Sequence, residues 1–266
     1  MDFITLKQIE NEFERASALY EIFNEDNRLN NSNATKVEFT TTVSFIDKYL
    51  KWGDKVIDIG AGAGEYSIHF AKQGYKVAAV ELADNNMAAF ENKLCPGLDI
   101  SLTQGNACDL SKFGDNVFDI VLLLGPLYHI SDLHEREKCI NEARRVCKQG
   151  GIIFVAYISN DMVVLTETFL YNLDYLKNGD YDKKTFAVEN FPFVFFTVAD
   201  ARDELIQGGL EILHEVAADG ISELFAEKIN RLDDESYSRY LDYHFYCCEK
   251  PEMLGRSNHL LFVCKN

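Results

Sequence analysis

Gly60-Ala61-Gly62-Ala63-Gly64 lies between an apolar run and an amphipathic segment, and it offers a ligand backbone rather than side chains. Glycines at such a junction permit a tight turn and let a bound group approach the main chain closely. A dinucleotide fingerprint, Gly-x-Gly-x-x-Gly, would need its third glycine at position 65, where this chain carries Glu65. A carboxylate at that crowded helix–sheet contact would repel a pyrophosphate, which disfavours the alternative of an NAD(P)-dependent oxidoreductase. No Gly-x-x-x-x-Gly-Lys-Ser/Thr phosphate loop occurs. His129 and His134, with the acids around them, fit no zinc spacing, so no metal is expected. The seven cysteines form no Cys-x-x-Cys pair and read mostly as small buried hydrophobes.

The elements that must position this loop follow from periodicity. Ile9, Phe13, Ala16, Leu19, Tyr20 and Phe23 recur at helical steps, the polar stretch Asn24 to Asn33 breaks the stripe, and Val37, Thr41, Phe45, Ile46 and Tyr49 form a second one. Trp52-Gly53-Asp54 reads as a turn. Strands are predicted over Val56–Ile59, Lys76–Leu82, Asp99–Thr103, Val117–Leu124, Ile152–Ile158, Leu210–Val216 and His259–Cys264. Helices are predicted over 64–73, 84–94 and about 132–147, and from Val198, capped by Thr197, to Gly208-Gly209. This β-α-β rhythm predicts an α/β fold with an open, mostly parallel, seven-stranded doubly wound sheet.

Asp58-x-Gly60-x-Gly62-x-Gly64, with Glu81 closing the next strand, resembles the first motifs of class I S-adenosylmethionine-dependent methyltransferases. Gln104-Gly105-Asn106-Ala107 is similar to that family's loop after the third strand. Leu124-Gly125-Pro126-Leu127-Tyr128-His129 resembles the motif after strand four in one bacterial subgroup, and Glu142 to Gly151 resembles the helix and turn before strand five. The match covers roughly residues 35–158 well. The resemblance implies S-adenosylmethionine as cofactor, with S-adenosylhomocysteine as product, in a Rossmann-like methyltransferase fold. It implies a cofactor set of Asp58, Gly60, Ala61, Gly62, Gly64, Glu81, Leu82, Asn106, Ala107 and Gly125. Within it, Glu81 would accept from the ribose hydroxyls as a charge-assisted pair, and Asp58 would hold the loop or the cofactor's ammonium. Asn106, standing where the family usually has Asp, and the backbone of Ala107 would meet the adenine.

Methyl transfer from a sulfonium asks mainly for alignment and a dry pocket, plus a base where the nucleophile carries a proton. That pocket should lie beyond the carboxyl ends of the strands, where Gly125 to His129 sit. His129 is then the candidate general base, and Tyr128 a shaper of the transfer cavity. Glu38 and Thr41 on the helix before the sheet, and Tyr157 at the end of strand five, are further candidates; a solvated acid and packing residues are the plainer accounts. His214, His244 and His259 suggest no constellation. The aromatic stretches 160–196 and 237–246 read equally as lids over an apolar substrate or as satellite cores.

The charge balance sets the partners. With 26 Lys plus Arg against 43 Asp plus Glu, the net charge is −17, which disfavours a nucleic-acid or anionic-membrane surface and points to a small-molecule acceptor. No run approaches the roughly 18 apolar residues of a membrane span, and the start Met1-Asp2-Phe3-Ile4-Thr5 lacks a signal peptide's basic start and apolar core. The thiols are therefore expected reduced, in a cytoplasmic protein. One domain, 1–266, is expected. Residues 1–53 form N-terminal helices, 54–158 the cofactor-binding core, 159–197 and 219–257 insertions, and 198–218 with 258–266 the rest of the sheet and its helix. A non-catalytic cofactor-binding protein of the same fold would share all these features except turnover.

Overall fold

A computed structural model describes residues 2–23, 25, 26 and 28–266. Asn24, where the polar break was expected to begin, and Met1 lie outside them. Three helices precede the sheet: α1 (Phe3–Lys7), α2 (Glu12–Leu19) and α3 (Asn33–Asp47). The first predicted stripe is thus two helices rather than one. Asn11 explains the division, because its side chain accepts from the amides of Phe13 and Glu14 and starts α2 afresh.

The alternating part runs β1 (Lys55–Ile59), α4 (Glu65–Lys72), β2 (Lys76–Glu81), α5 (Asp84–Lys93), β3 (Ile100–Gln104) and β4 (Phe118–Leu123). A 3-10 turn over Pro126–His129 leads to α6 (Leu133–Val146) and the long β5 (Cys147–Ser159). Next come α7 (Asn160–Thr166), a π-helical turn over Glu167–Tyr171, α8 (Tyr175–Asn178), β6 (Phe195–Phe196), α9 (Val198–Gln207) and β7 (Glu211–Ala217). The chain ends through α10 (Ala226–Ile229), α11 (Asp234–Cys247), α12 (Pro251–Leu254) and β8 (His259–Lys265). Thr197 caps α9 as expected, in a reciprocal capping box with Asp200.

Strand order is β3-β2-β1-β4-β5-β8-β7, with the two-residue β6 added beside the end of β5. Seven strands were predicted and that path has seven; β6 is the eighth, too short to leave a periodic signal. Strands β1 to β5 pair in parallel, while β8 runs antiparallel between β5 and β7. The central strands are apolar because helices cover both faces: Val56, Ile57 and Ile59 of β1 and Val121 and Leu122 of β4 are fully buried. Order reverses between β1 and β4, so the loops after these two strands part at the sheet's carboxyl edge and open a crevice there.

Candidate active site

The glycine loop occupies that crevice. Gly60, Gly62 and Gly64 all have positive φ, at +73°, +55° and +83°, a region that strains other residues. Their surroundings differ. A Cβ on Gly60 would lie 2.7 Å from the Pro126 ring, and one on Gly64 would lie 2.4 Å from the ring of Phe90, whereas one on Gly62 would meet nothing within 4 Å. Gly60 and Gly64 therefore close the loop against its neighbours, and Gly62 leaves an open cradle toward the cavity. Gly125, after β4, completes the seam, with its Cβ direction facing the Gly60 carbonyl and the Tyr128 hydroxyl.

Two buried acids share this cavity. Asp58 accepts from the Ser67 hydroxyl at 2.7 Å, and burial lifts its carboxyl to about 6, with the nearby Glu81 adding to the rise. Glu81 accepts from the amides of Gly62 and Ala83, each at 2.8 Å. Burial raises its carboxyl too, and those amide bonds offset part of the rise. Among the described residues neither acid makes an ion pair with a lysine or arginine. Leu82, Asn106 and Ala107 line the same cavity, as do Ala61 and Gly125. Asn106 uses its side-chain oxygen in a local turn, accepting from the Cys108 amide at 2.9 Å. One acceptor site remains on that oxygen, since an amide oxygen has two lone pairs.

His129 and Tyr128 reach the cavity from the 3-10 turn after β4. His129 Nε2 bonds the Tyr20 hydroxyl at 2.8 Å, while Nδ1 is buried without a partner among the described residues. Burial holds the imidazole down to about 4, so it is neutral across the physiological range. Tyr128 donates to the Leu124 carbonyl at 3.0 Å, and burial raises its phenol well above the ordinary range.

A second cavity, of about 780 Å³, adjoins the first. Tyr20, Glu25, Arg28 and Tyr128 line both and mark their junction. Glu38 lines only the second, held by Arg28 at 2.9 Å. Thr41 lines neither; it is wholly buried, donating to the Val37 carbonyl and touching His244 Nε2 at 3.0 Å. Tyr157 is likewise enclosed, its hydroxyl donating to Glu204 at 2.9 Å inside the core. Of the two aromatic stretches, 160–196 supplies much of the second cavity's wall, whereas the aromatics of 237–246 line neither cavity.

Sequence reasoning missed three features. Tyr20 was read only as part of an apolar stripe, and Arg28 lay inside the supposed polar break. His259 does belong to a constellation: Nδ1 lies 2.8 Å from Asp219 and 3.4 Å from Glu38. Burial works against its charge, but Glu38 and Asp219 outweigh that and lift the imidazole to about 9. Glu38, Asp219 and His259 are also close enough together to share a metal ion, and the imidazole itself lies between the two acids. Their spacing in sequence carries no motif, so only the fold brings them together.

Comparison with known proteins bears on the chain's fold and family likeness. Residues 57–155 match a family described as a methyltransferase domain. The ubiquinone biosynthesis O-methyltransferase of Caulobacter vibrioides is 30% identical over 138 residues, covering 50% of this chain and 54% of that protein. The ubiquinone/menaquinone biosynthesis C-methyltransferase of Cupriavidus taiwanensis is 35% identical over 114 residues, covering 40% and 44%. The chain thus spans about half the length of the curated relatives it matches. A solved SAM-dependent methyltransferase from Methanosarcina mazei superposes with a TM-score of 0.55 at 21% identity, covering 84% of this chain and 96% of that one. That likeness is one of fold.

Proposed function

On a class I methyltransferase fold carrying this glycine loop, we propose that the chain is an S-adenosylmethionine-dependent methyltransferase acting on a small-molecule acceptor. The observation that carries the reading is the pair of buried acids, Asp58 and Glu81, beside the open cradle at Gly62. A cavity with two carboxylates that have no basic partner among the described residues, and with bare backbone, suits a ligand that brings positive charge and hydroxyl donors. It suits a pyrophosphate poorly.

When bound, S-adenosylmethionine supplies a methyl group already activated by its sulfonium. The residues present fit it. Glu81 keeps acceptor capacity for the ribose hydroxyls, Asp58 serves the ammonium end, and Asn106 with the Ala107 backbone meets the adenine. Gly60, Ala61, Gly62, Gly64, Leu82 and Gly125 form the surrounding walls. Phe13, Ala16 and Tyr20 lie over the cavity from the N-terminal side and exclude water.

Tyr20 and Tyr128 line both cavities, so transfer takes place at the junction they form and the acceptor occupies the larger space. Tyr128 shapes that junction. His129 touches Tyr20 rather than the larger cavity, so a proton leaving the acceptor reaches Nε2 by way of the Tyr20 hydroxyl. An imidazole this hard to protonate is a weak proton sink, and alignment supplies most of the acceleration. Residues 1–266 act as one domain in the cytoplasm on this reading. The absence of a membrane-length apolar helix among the described residues accords with that location.

Calorimetric titration tests the reading directly. S-adenosylmethionine and S-adenosylhomocysteine should bind in the micromolar range while NAD does not. Tight binding of NAD alone would overturn it. Cofactor binding without methylated product across a broad acceptor panel would leave a binding protein rather than an enzyme.

A further inference from the structure

The chemical class of the acceptor rests on the methyltransferase reading, which seats that acceptor in the larger cavity. At about 780 Å³ the cavity falls within the usual range of small-molecule sites. Rings of Phe23, Tyr128, Tyr171, Tyr175, Phe191 and Phe193 line it, so it accommodates an apolar body. Its charge is lopsided: the described lining includes seven carboxylates and three basic groups.

Each basic group is already held. Lys7 pairs with Glu189 at 2.7 Å, and Arg28 lies between Glu25 and Glu38, each at 2.9 Å. His259 sits between Asp219 and Glu38. Glu167 and Glu223 make no ion pair with a basic side chain among the described residues. Burial pushes both carboxyls above the usual range, and Asp219 adds to the rise at Glu223. Asn258, also in the lining, donates its amide to Glu223, and its own Oδ1 is buried with no donor among the described residues. The Tyr171 hydroxyl, in the same lining, is hydrogen-bonded to Glu223 and lies near Glu167, so among the described residues this wall has acceptors in excess of its donors and no cation facing Glu167 or Glu223.

We propose that the acceptor is an organic cation with an apolar body, an aryl- or alkylamine protonated at neutral pH. An ammonium brings the missing donors to Glu167, Glu223 and Asn258, and it gains further from the faces of the aromatic rings. A carboxylate ligand would add another negative charge to a space that already has too many. A phenol or alcohol brings a single O–H and leaves most of the acceptors unpaired.

The test is titration of the full chain, saturated with S-adenosylhomocysteine, against matched pairs: benzylamine and benzyl alcohol, tryptamine and tryptophol, octylamine and octan-1-ol, with indole-3-acetate as the anion. At least one amine should bind about tenfold or more tightly than its alcohol, the scale of a charged hydrogen bond, and indole-3-acetate should bind more weakly than either indole partner. The Glu167→Gln/Glu223→Gln double variant should lose that preference while binding S-adenosylhomocysteine as before, which shows that it is folded. If no amine outbinds its alcohol, absence of binding by both included, the cationic acceptor is overturned while the methyltransferase reading stands. Failure of S-adenosylhomocysteine to bind the unmodified chain overturns that underlying reading instead.

Discussion

At the scale of single residues, the site depends on which acceptor meets which donor. Glu81 holds the amides of Gly62 and Ala83 before any ligand arrives, so it both shapes the loop and faces the cavity. Glu81→Ala should weaken S-adenosylhomocysteine binding by about 1–3 kcal/mol, the scale of leaving buried partners unpaired. Unchanged affinity in a calorimetric titration would remove Glu81 from the cofactor. His129 has a narrower role than its type suggests. Because burial holds it near 4, activity should show no His129 titration between pH 6 and 8. His129→Ala should lower the chemical rate roughly tenfold, short of the ~10²–10⁴ of a well-matched base, with near-normal cofactor binding. A full-rate variant would leave His129 a structural role alone.

At the scale of elements, the turn between β1 and α4 separates two uses of glycine. Gly64→Ala would drive a methyl group into the Phe90 ring, at 2.4 Å, in a left-handed conformation, so the β1–α4–α5 packing should suffer. A loss of about 2–5 kcal/mol in chemical denaturation is expected, overpacking and strain together. Gly62→Ala meets no neighbour and should cost only the left-handed strain of about 1–2 kcal/mol. Its new methyl group would instead fill the cradle, so its main effect should be weaker cofactor binding. Equal losses of stability and binding in both variants would contradict that division.

At the scale of the whole molecule, the N-terminal segment is tied across the crevice by contacts from distant parts of the chain. Glu12 accepts from the Ser131 amide and hydroxyl, Asn30 donates to Glu65, and Lys93 pairs with both Asp26 and Glu65. Arg28 gathers Glu25 and Glu38 beneath it. Arg28→Ala leaves Glu25 without its cation and Glu38 with His259 alone. The segment should then be cut faster in limited proteolysis, and S-adenosylhomocysteine should protect it less. The Glu38–His259–Asp219 triad joins α3 to the start of β8. His259 is raised from 6.5 to about 9, so the folded state keeps a proton that the unfolded chain releases between those values. Its stabilisation is full below about pH 6.5 and is lost as pH rises through 9. The melting temperature should fall over that window, and His259→Gln should flatten the slope.

Much of this was legible in the residue order because it is local physics. Apolar runs specified β1, β2, β4 and β5, helical spacing specified α3 to α6, and the glycines at 60, 62 and 64 specified a tight turn. Short-range exclusion of a side chain at Glu65 separated this loop from a dinucleotide site. The junction of the two cavities was not legible. Tyr20 and His129 lie 109 positions apart, and Asp219 and His259 gain meaning only beside Glu38. Periodicity records which face of an element is buried, but not what it is buried against. The glycine loop is therefore written in the sequence itself. The acid-rich, ring-lined space beside it is decided by tertiary structure, because burial and proximity set its charge.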